Sequence, residues 1–238
     1  MIHKKKSHRR LSKAYRRRRR IVYRNRAVLV LCTALLVWTC VWGIRRKVSD
    51  GGANQAVIAQ TSVDWRGAPA INVQLLTPNQ YSRPQKKLHA VKGIVIHYTA
   101  NPGTTAQANH NYFEGLKDGS GVYASSHFIV GLDGEVVQNI PTTEEAYASN
   151  SRNDDTISIE TCHQDESGSY NEKTYASMVQ LTGWLCVRYH LDTEDVIRHY
   201  DITGKICPKY FVDHEDAWKQ FKTDVSDKIK EIKTEQRG

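Results

Sequence analysis

Residues 27–44, AVLVLCTALLVWTCVWGI, run for eighteen positions without a charge, and this run limits what the rest of the chain can fold into. As a helix it spans roughly 27 Å, close to the ~30 Å hydrocarbon core of a bilayer, so it suits a membrane better than a packed domain. Thirteen Lys/Arg precede it, including the RRRRR of residues 16–20, and three follow directly. Trp38 and Trp42 sit toward its C-terminal end, where amphipathic rings favour the interface. The larger basic cluster is expected to stay cytoplasmic, which puts the remainder of the chain outside. A cleaved signal peptide is the competing reading. Three basic residues directly after the apolar run, with no A-x-A close behind, are a poor cleavage context.

The net charge of +9 averages two unlike parts. Residues 1–47 hold sixteen Lys/Arg and no acid, while residues 48–238 hold eighteen Lys/Arg against all 25 Asp/Glu, a net −7. The basic tail reads as a topology signal with attraction to anionic headgroups. An acidic body does not support a nucleic-acid partner inferred from overall charge, and none is expected. The expected organisation is a cytoplasmic tail over residues 1–26, a signal-anchor helix over 27–44, a stem over 45–70 and one domain over 71–236.

Within that domain, short β-branched runs alternate with helical patterns. INVQLL, GIVIHYTA, DTISIETC and DVIRHY read as strands, the middle two as buried ones. SSHFIVGLDGEVVQNI reads as a hairpin around Asp133-Gly134. Thr104 or Thr105 caps a helix that ends before Gly119. A 3.6-residue apolar stripe runs from 175 to 189, and the C-terminal stretch from His214 is amphipathic with an acidic start. The fold class that follows is α/β, a mixed central β-sheet flanked by helices.

Two histidines, His97 and His199, end strands, and Cys207 follows eight residues after the second, past a glycine-containing turn. Strand ends are where open α/β sheets build sites. Two imidazoles and a thiolate, with a fourth position left for water, are a recognised catalytic zinc set. Sequence distance alone does not say that His97 and His199 meet.

Taken in order, GIVIHYTANPG, SSHFIVGLDG, ISIE and HYDITGKICP resemble the zinc-dependent N-acetylmuramoyl-L-alanine amidases, whose fold is shared with phage lysozyme-type amidases and peptidoglycan recognition proteins. The resemblance implies hydrolysis of the amide between the lactyl group of muramic acid and L-alanine of the stem peptide. It implies Zn2+ held by His97, His199 and Cys207, Lys205 as oxyanion stabiliser, and Glu160 as general base. Two departures stand out. Ser126 occupies the place of a tyrosine found before the His-Phe pair in phage-type members. Ala148 occupies the place of a histidine in the loop before ISIE.

His127, Asp201, Asn109 and Ser126 are further candidates for supporting the ligands or lining a substrate groove, while His110, His163 and His214 read as surface groups. Cys32 and Cys40 fall in the apolar run. Cys162 and Cys186 are either core thiols or a disulfide pair. The expected partners are bacterial peptidoglycan and, through residues 27–44, the cytoplasmic membrane; oligomeric state is open. The expected role is wall remodelling just outside that membrane. The alternatives are a non-catalytic peptidoglycan recognition module and a zinc hydrolase of another amide.

Overall fold

The computed structural model describes residues 63–119 and 121–238; the basic tail, the expected membrane helix and residues 45–62 of the expected stem lie outside the described residues. Among the described residues no helix is long and apolar enough to cross a membrane. Six strands, β1 (Ile71–Val73), β2 (Ile94–Ile96), β3 (Phe128–Val130), β4 (Val136–Gln138), β5 (Ile157–Thr161) and β6 (Val196–Arg198), form one sheet in the order β1-β4-β3-β5-β2-β6. The sheet is mixed. β3, β5, β2 and β6 are mutually parallel, and β4 runs antiparallel to β3.

Strand alternation separates two faces. One face carries Ile94, Ile96, Ile157, Ile159, Phe128 and Val196 into the main core. Two long helices cover it, α2 (Glu172–Tyr189) and α5 (Glu215–Glu235), which bring Met178, Leu181 and Leu185 and Trp218, Phe221, Val225 and Ile229 respectively. The opposite face carries Ile129 and Val137 against Ala106 and Phe113 of α1 (Ala106–Gly115). Thr105 caps α1 by accepting the Ala108 amide, and the left-handed Gly119 closes the short 3-10 turn that follows. Asn171 caps α2 through the Thr174 amide.

The β3–β4 turn is pinned to the start of α2. Thr174 Oγ1 donates to the Gly131 carbonyl at 2.9 Å, and Asn171 Nδ2 to that of Leu132 at 2.9 Å. Gly134 has φ +80, and a Cβ there would stand 3.0 Å from the Lys173 carbonyl, so both backbone and space require glycine. Residues 63–70, placed in the stem from sequence, are fixed to the helical layer. Trp65 stacks on Trp184 at 5.2 Å, and the Trp184 indole donates to the Asp64 carbonyl at 3.1 Å.

After β6, two short helices, α3 (His199–Thr203) and α4 (Lys209–Asp213), lead into α5. The stretch after His199, expected as a loop, is therefore partly helical, with Gly204 at φ +75 ending α3. Cys162 and Cys186 are both free and belong to the cores on opposite faces of the sheet, which rules out the disulfide.

Phe221 is fully buried and packs on Phe211 at 5.2 Å and Trp218 at 5.5 Å. Phe221→Ala should cost about 3–5 kcal/mol. Urea unfolding checks this: the midpoint should fall with the slope unchanged, and an unmoved midpoint would contradict the packing described.

Candidate metal centre and active-site cavity

Strand register brings the two histidines together. Ile96 pairs with Arg198 on one side of β2 and with Ile159 on the other. The next residues, His97, His199 and Glu160, therefore sit side by side at the carboxyl edge, on the face away from the main core. The His97 and His199 rings are 4.8 Å apart between centroids.

Cys207 arrives by a turn built on Arg198. The Tyr200 amide donates to the Cys207 carbonyl at 2.9 Å, closing the segment on itself. The largely buried Arg198 guanidinium pairs with Asp201 at 2.9 Å and Glu215 at 2.7 Å, and donates to the Phe211 carbonyl at 2.9 Å. It thereby ties α3, α4 and α5 together. Cys207 Sγ then lies 3.8 Å from His97 Nδ1, and one ligand atom from each of His97, His199 and Cys207 falls within 4.8 Å of the others.

The electrostatics suit a cation. Burial first, then His199, Lys205 and His127, hold His97 well below the ordinary imidazole range. Burial and Lys205 lower His199. Both rings are thus neutral, with lone pairs to give. Burial pushes the Cys207 thiol up to about 12, Glu160 adds to this, and the Tyr98 amide and Lys205 oppose it. A divalent cation reverses that balance and favours the thiolate. Glu160 Oε2 is buried without a hydrogen-bond partner. Burial raises this carboxyl to about 8 against the pull of Lys205. An orphaned carboxylate oxygen beside two neutral imidazoles and a thiol fits a catalytic zinc set with an open side.

These groups line a cavity of about 350 Å³, with Tyr98, Tyr123, Ser125, Tyr147 and Asn150 around them. Lys205 is exposed at its rim. Tyr123 and Tyr147 also border a neighbouring hollow that contains Arg83 and Lys86.

Four candidates lie elsewhere. Ser126 is fully buried, donates to the Phe128 carbonyl and accepts from Asn139. Asn109 is buried against Thr104, Thr105 and Cys162. Asp201 holds Arg198 rather than His199. His127 is locked between β5 and the connection that follows β4: its Nδ1 accepts the Ser158 amide at 3.0 Å and its Nε2 donates to the Glu144 carbonyl at 2.9 Å. None of the four lines the cavity. His110 and His163, expected at the surface, are buried; His110 bonds Asn139 at 2.9 Å and His163 the Asp165 carbonyl at 2.8 Å. Sequence reasoning missed Ser149 and Asn150, which contact the two cavity histidines. The turn-forming string SNSRND was the available signal, but it did not reveal which side chains the turn would meet.

Known proteins share the family and the fold. Residues 87–210 match the family described as N-acetylmuramoyl-L-alanine amidase, and the chain belongs to that family. A probable N-acetylmuramoyl-L-alanine amidase of Bacillus licheniformis is 38% identical over 136 residues, covering 52% of this chain and 38% of that protein. The N-acetylmuramoyl-L-alanine amidase BlyA of Bacillus subtilis (strain 168) is 34% identical over 172 residues, covering 63% and 45%. The chain thus spans less than half the length of these curated relatives. Among solved structures, the catalytic domain of XlyA superposes with a TM-score of 0.57 at 25% identity, over 66% of this chain and 99% of that one. PlyL superposes at 0.55 with 26% identity, over 66% and 98%.

The His127 ring is neutral in the fold, its pKa pushed down from 6.5 to about 4 chiefly by burial. Above pH 6.5 neither folded nor unfolded chain protonates it, and its contribution to stability is complete. As pH falls from 6.5 toward 4, the unfolded chain binds a proton that the fold excludes, and up to about 3 kcal/mol is lost. His127→Gln should flatten the fall in urea midpoint between pH 7 and 4.5 by about one proton's worth. Identical slopes in the two proteins would contradict the assignment.

Proposed function

We propose that this chain is a zinc-dependent amidase that cleaves the bond between N-acetylmuramic acid and the L-alanine of the peptidoglycan stem peptide. The observation that carries the reading is the convergence of His97, His199 and Cys207 beside Glu160 and Lys205 in one cavity of an amidase-family domain. A complete set of three side chains able to hold zinc with an open side favours catalysis over a recognition module.

His97, His199 and Cys207 are the proposed zinc ligands. When bound, zinc would polarise the scissile carbonyl and acidify water at its open side. In this reading Glu160 takes a proton from the attacking water and returns it to the leaving amine. That role requires the ionised carboxyl. Lys205 lowers the Glu160 pKa toward it, and a divalent cation nearby acts in the same direction. The Lys205 ammonium at the rim meets negative charge as it develops on the carbonyl oxygen, stabilising the transition state more than the substrate. Neutral Glu160, favoured by burial in the absence of those cations, would not serve as the base.

Mass spectrometry of peptidoglycan treated with the full-length chain tests the reading. Free stem peptides with a new L-alanine amino terminus should appear, vanish with chelator and return with zinc. Glu160→Gln should lower kcat about 10²–10⁴-fold and Lys205→Ala about 10²–10³-fold. Intact muropeptides under all conditions would refute the activity.

The second part of the proposal is the location. Residues 27–44 anchor the domain at the outer face of a bacterial cytoplasmic membrane, where a short stem confines it to nearby wall. The charge-free run and the basic residues on both sides support this. Deleting residues 1–47 should move the protein from the membrane to the soluble fraction. Retention in the membrane after that deletion would refute the anchor.

A further inference from the structure

The loop between β4 and β5 touches both cavity histidines through consecutive residues. His199 Nε2 lies 2.7 Å from Asn150 Oδ1, and His97 Nε2 lies 3.3 Å from Ser149 Oγ. A carbonyl oxygen only accepts, so the His199 hydrogen sits on Nε2 and Nδ1 keeps its lone pair. His97 is arranged alike, with Nε2 against the Ser149 hydroxyl and Nδ1 toward Cys207 Sγ at 3.8 Å. In each ring the loop engages Nε2, which leaves His97 Nδ1 to Cys207 Sγ and His199 Nδ1 without a contact to the loop.

The loop is built to hold these contacts. Asn150 adopts φ +52, in the left-handed region that Asn enters more readily than other side chains. Asn153 Oδ1 accepts the amides of Ala148 at 3.1 Å and Ser149 at 2.6 Å. Thr156 Oγ1 donates to the Arg152 carbonyl at 2.6 Å, and Arg152 pairs with Asp155 at 2.6 Å. Ser149 is almost wholly buried, so its hydroxyl has little access to water.

We propose that Ser149 and Asn150 are positioning residues: both hold the ring orientation of His97 and His199, and the Asn150 oxygen also fixes the His199 tautomer, so that both rings present Nδ1 to a zinc ion alongside Cys207 Sγ. This rests on the metal-site reading above. An imidazole whose outer nitrogen is unpaired can turn or shift its hydrogen, and either change withdraws the ligand atom.

The test is competition for Zn2+ between a chromophoric chelator and the full-length chain, with the absorption spectrum of the Co2+-substituted protein as a second readout. Asn150→Gly keeps the left-handed backbone and deletes the acceptor. Asn150→Asp restores an acceptor oxygen at the same reach. Asn150→Gly should weaken zinc binding about 10–100-fold and shift the Co2+ ligand-field bands, with thermal unfolding of the metal-free chain unchanged. Asn150→Asp should recover most of the affinity. Ser149→Ala should show the same effects in weaker form, because its contact is longer. Wild-type affinity and spectrum in Asn150→Gly would overturn the proposal, as would equal losses in Asn150→Gly and Asn150→Asp. A wild-type chain that binds no zinc would overturn the metal reading and this inference with it. Wild-type binding with an unaffected Asn150→Gly would overturn the positioning role alone.

Discussion

Strand β2 sits between β5 and β6, and the hydrogen-bonded register of those three strands is the constraint on which the site depends. Because side chains alternate, a slip of one residue in either pairing would turn His97 away from His199 or Glu160 and drive an imidazole or carboxylate into the apolar core. The same slip would expose Ile94 and Ile96, or Ile157 and Ile159, all fully buried. The residues that enforce the register are thus on the opposite face from the residues that use it. Hydrophobic burial fixes the geometry of polar groups it never touches.

Arg198 is the counterpart of that logic for the third proposed ligand. Its backbone ends β6, and its side chain falls on the core face, over the Trp218 ring at 5.3 Å. A guanidinium so buried must be paired, and Asp201 and Glu215 reach it from α3 and α5. The pairing fixes how α3 leaves the strand, and so where the chain must return with Cys207. Asp201 thus influences the centre through its ion pair with Arg198, the residue directly before His199. That explains why its position two residues after His199 suggests a direct contact that the structure does not contain.

The legible parts of the sequence are those whose signals are local. The β-branched runs around 94–96 and 157–161, the Asp133-Gly134 turn, the Thr105 and Asn171 caps and the amphipathic α5 each rest on a few neighbouring residues. The family motifs supplied candidate ligands for the same reason. Pairing order was not legible, since β1 joins β4 and β2 joins β6 across long stretches of chain. The burial of His110 and His163 was equally hidden, because each is satisfied by a partner whose proximity only the tertiary fold creates. Ser126 reads as functional because it stands where the resemblance implies a tyrosine, and Asn109 because it lies on the helix after the first motif. In the fold, each spends its hydrogen-bonding capacity on nearby groups that lie away from the cavity.

The loop carrying Ser149 and Asn150 shows why a site can exceed its motifs. Motif residues lie at strand ends, where the backbone holds them; the imidazoles themselves still rotate about two torsions. Something off the sheet must hold those rings, and a turn rich in Ser, Asn and Asp is suited to it because its side chains bond backbone and neighbours at short range. Asn153 orders the turn through two amides, and the turn then offers one oxygen to each ring. Different residues could make that offer provided an acceptor arrives at the same place. The constraint is an oxygen at a given distance from Nε2, not a residue type at a given position, and a constraint of that form leaves little trace in a linear pattern.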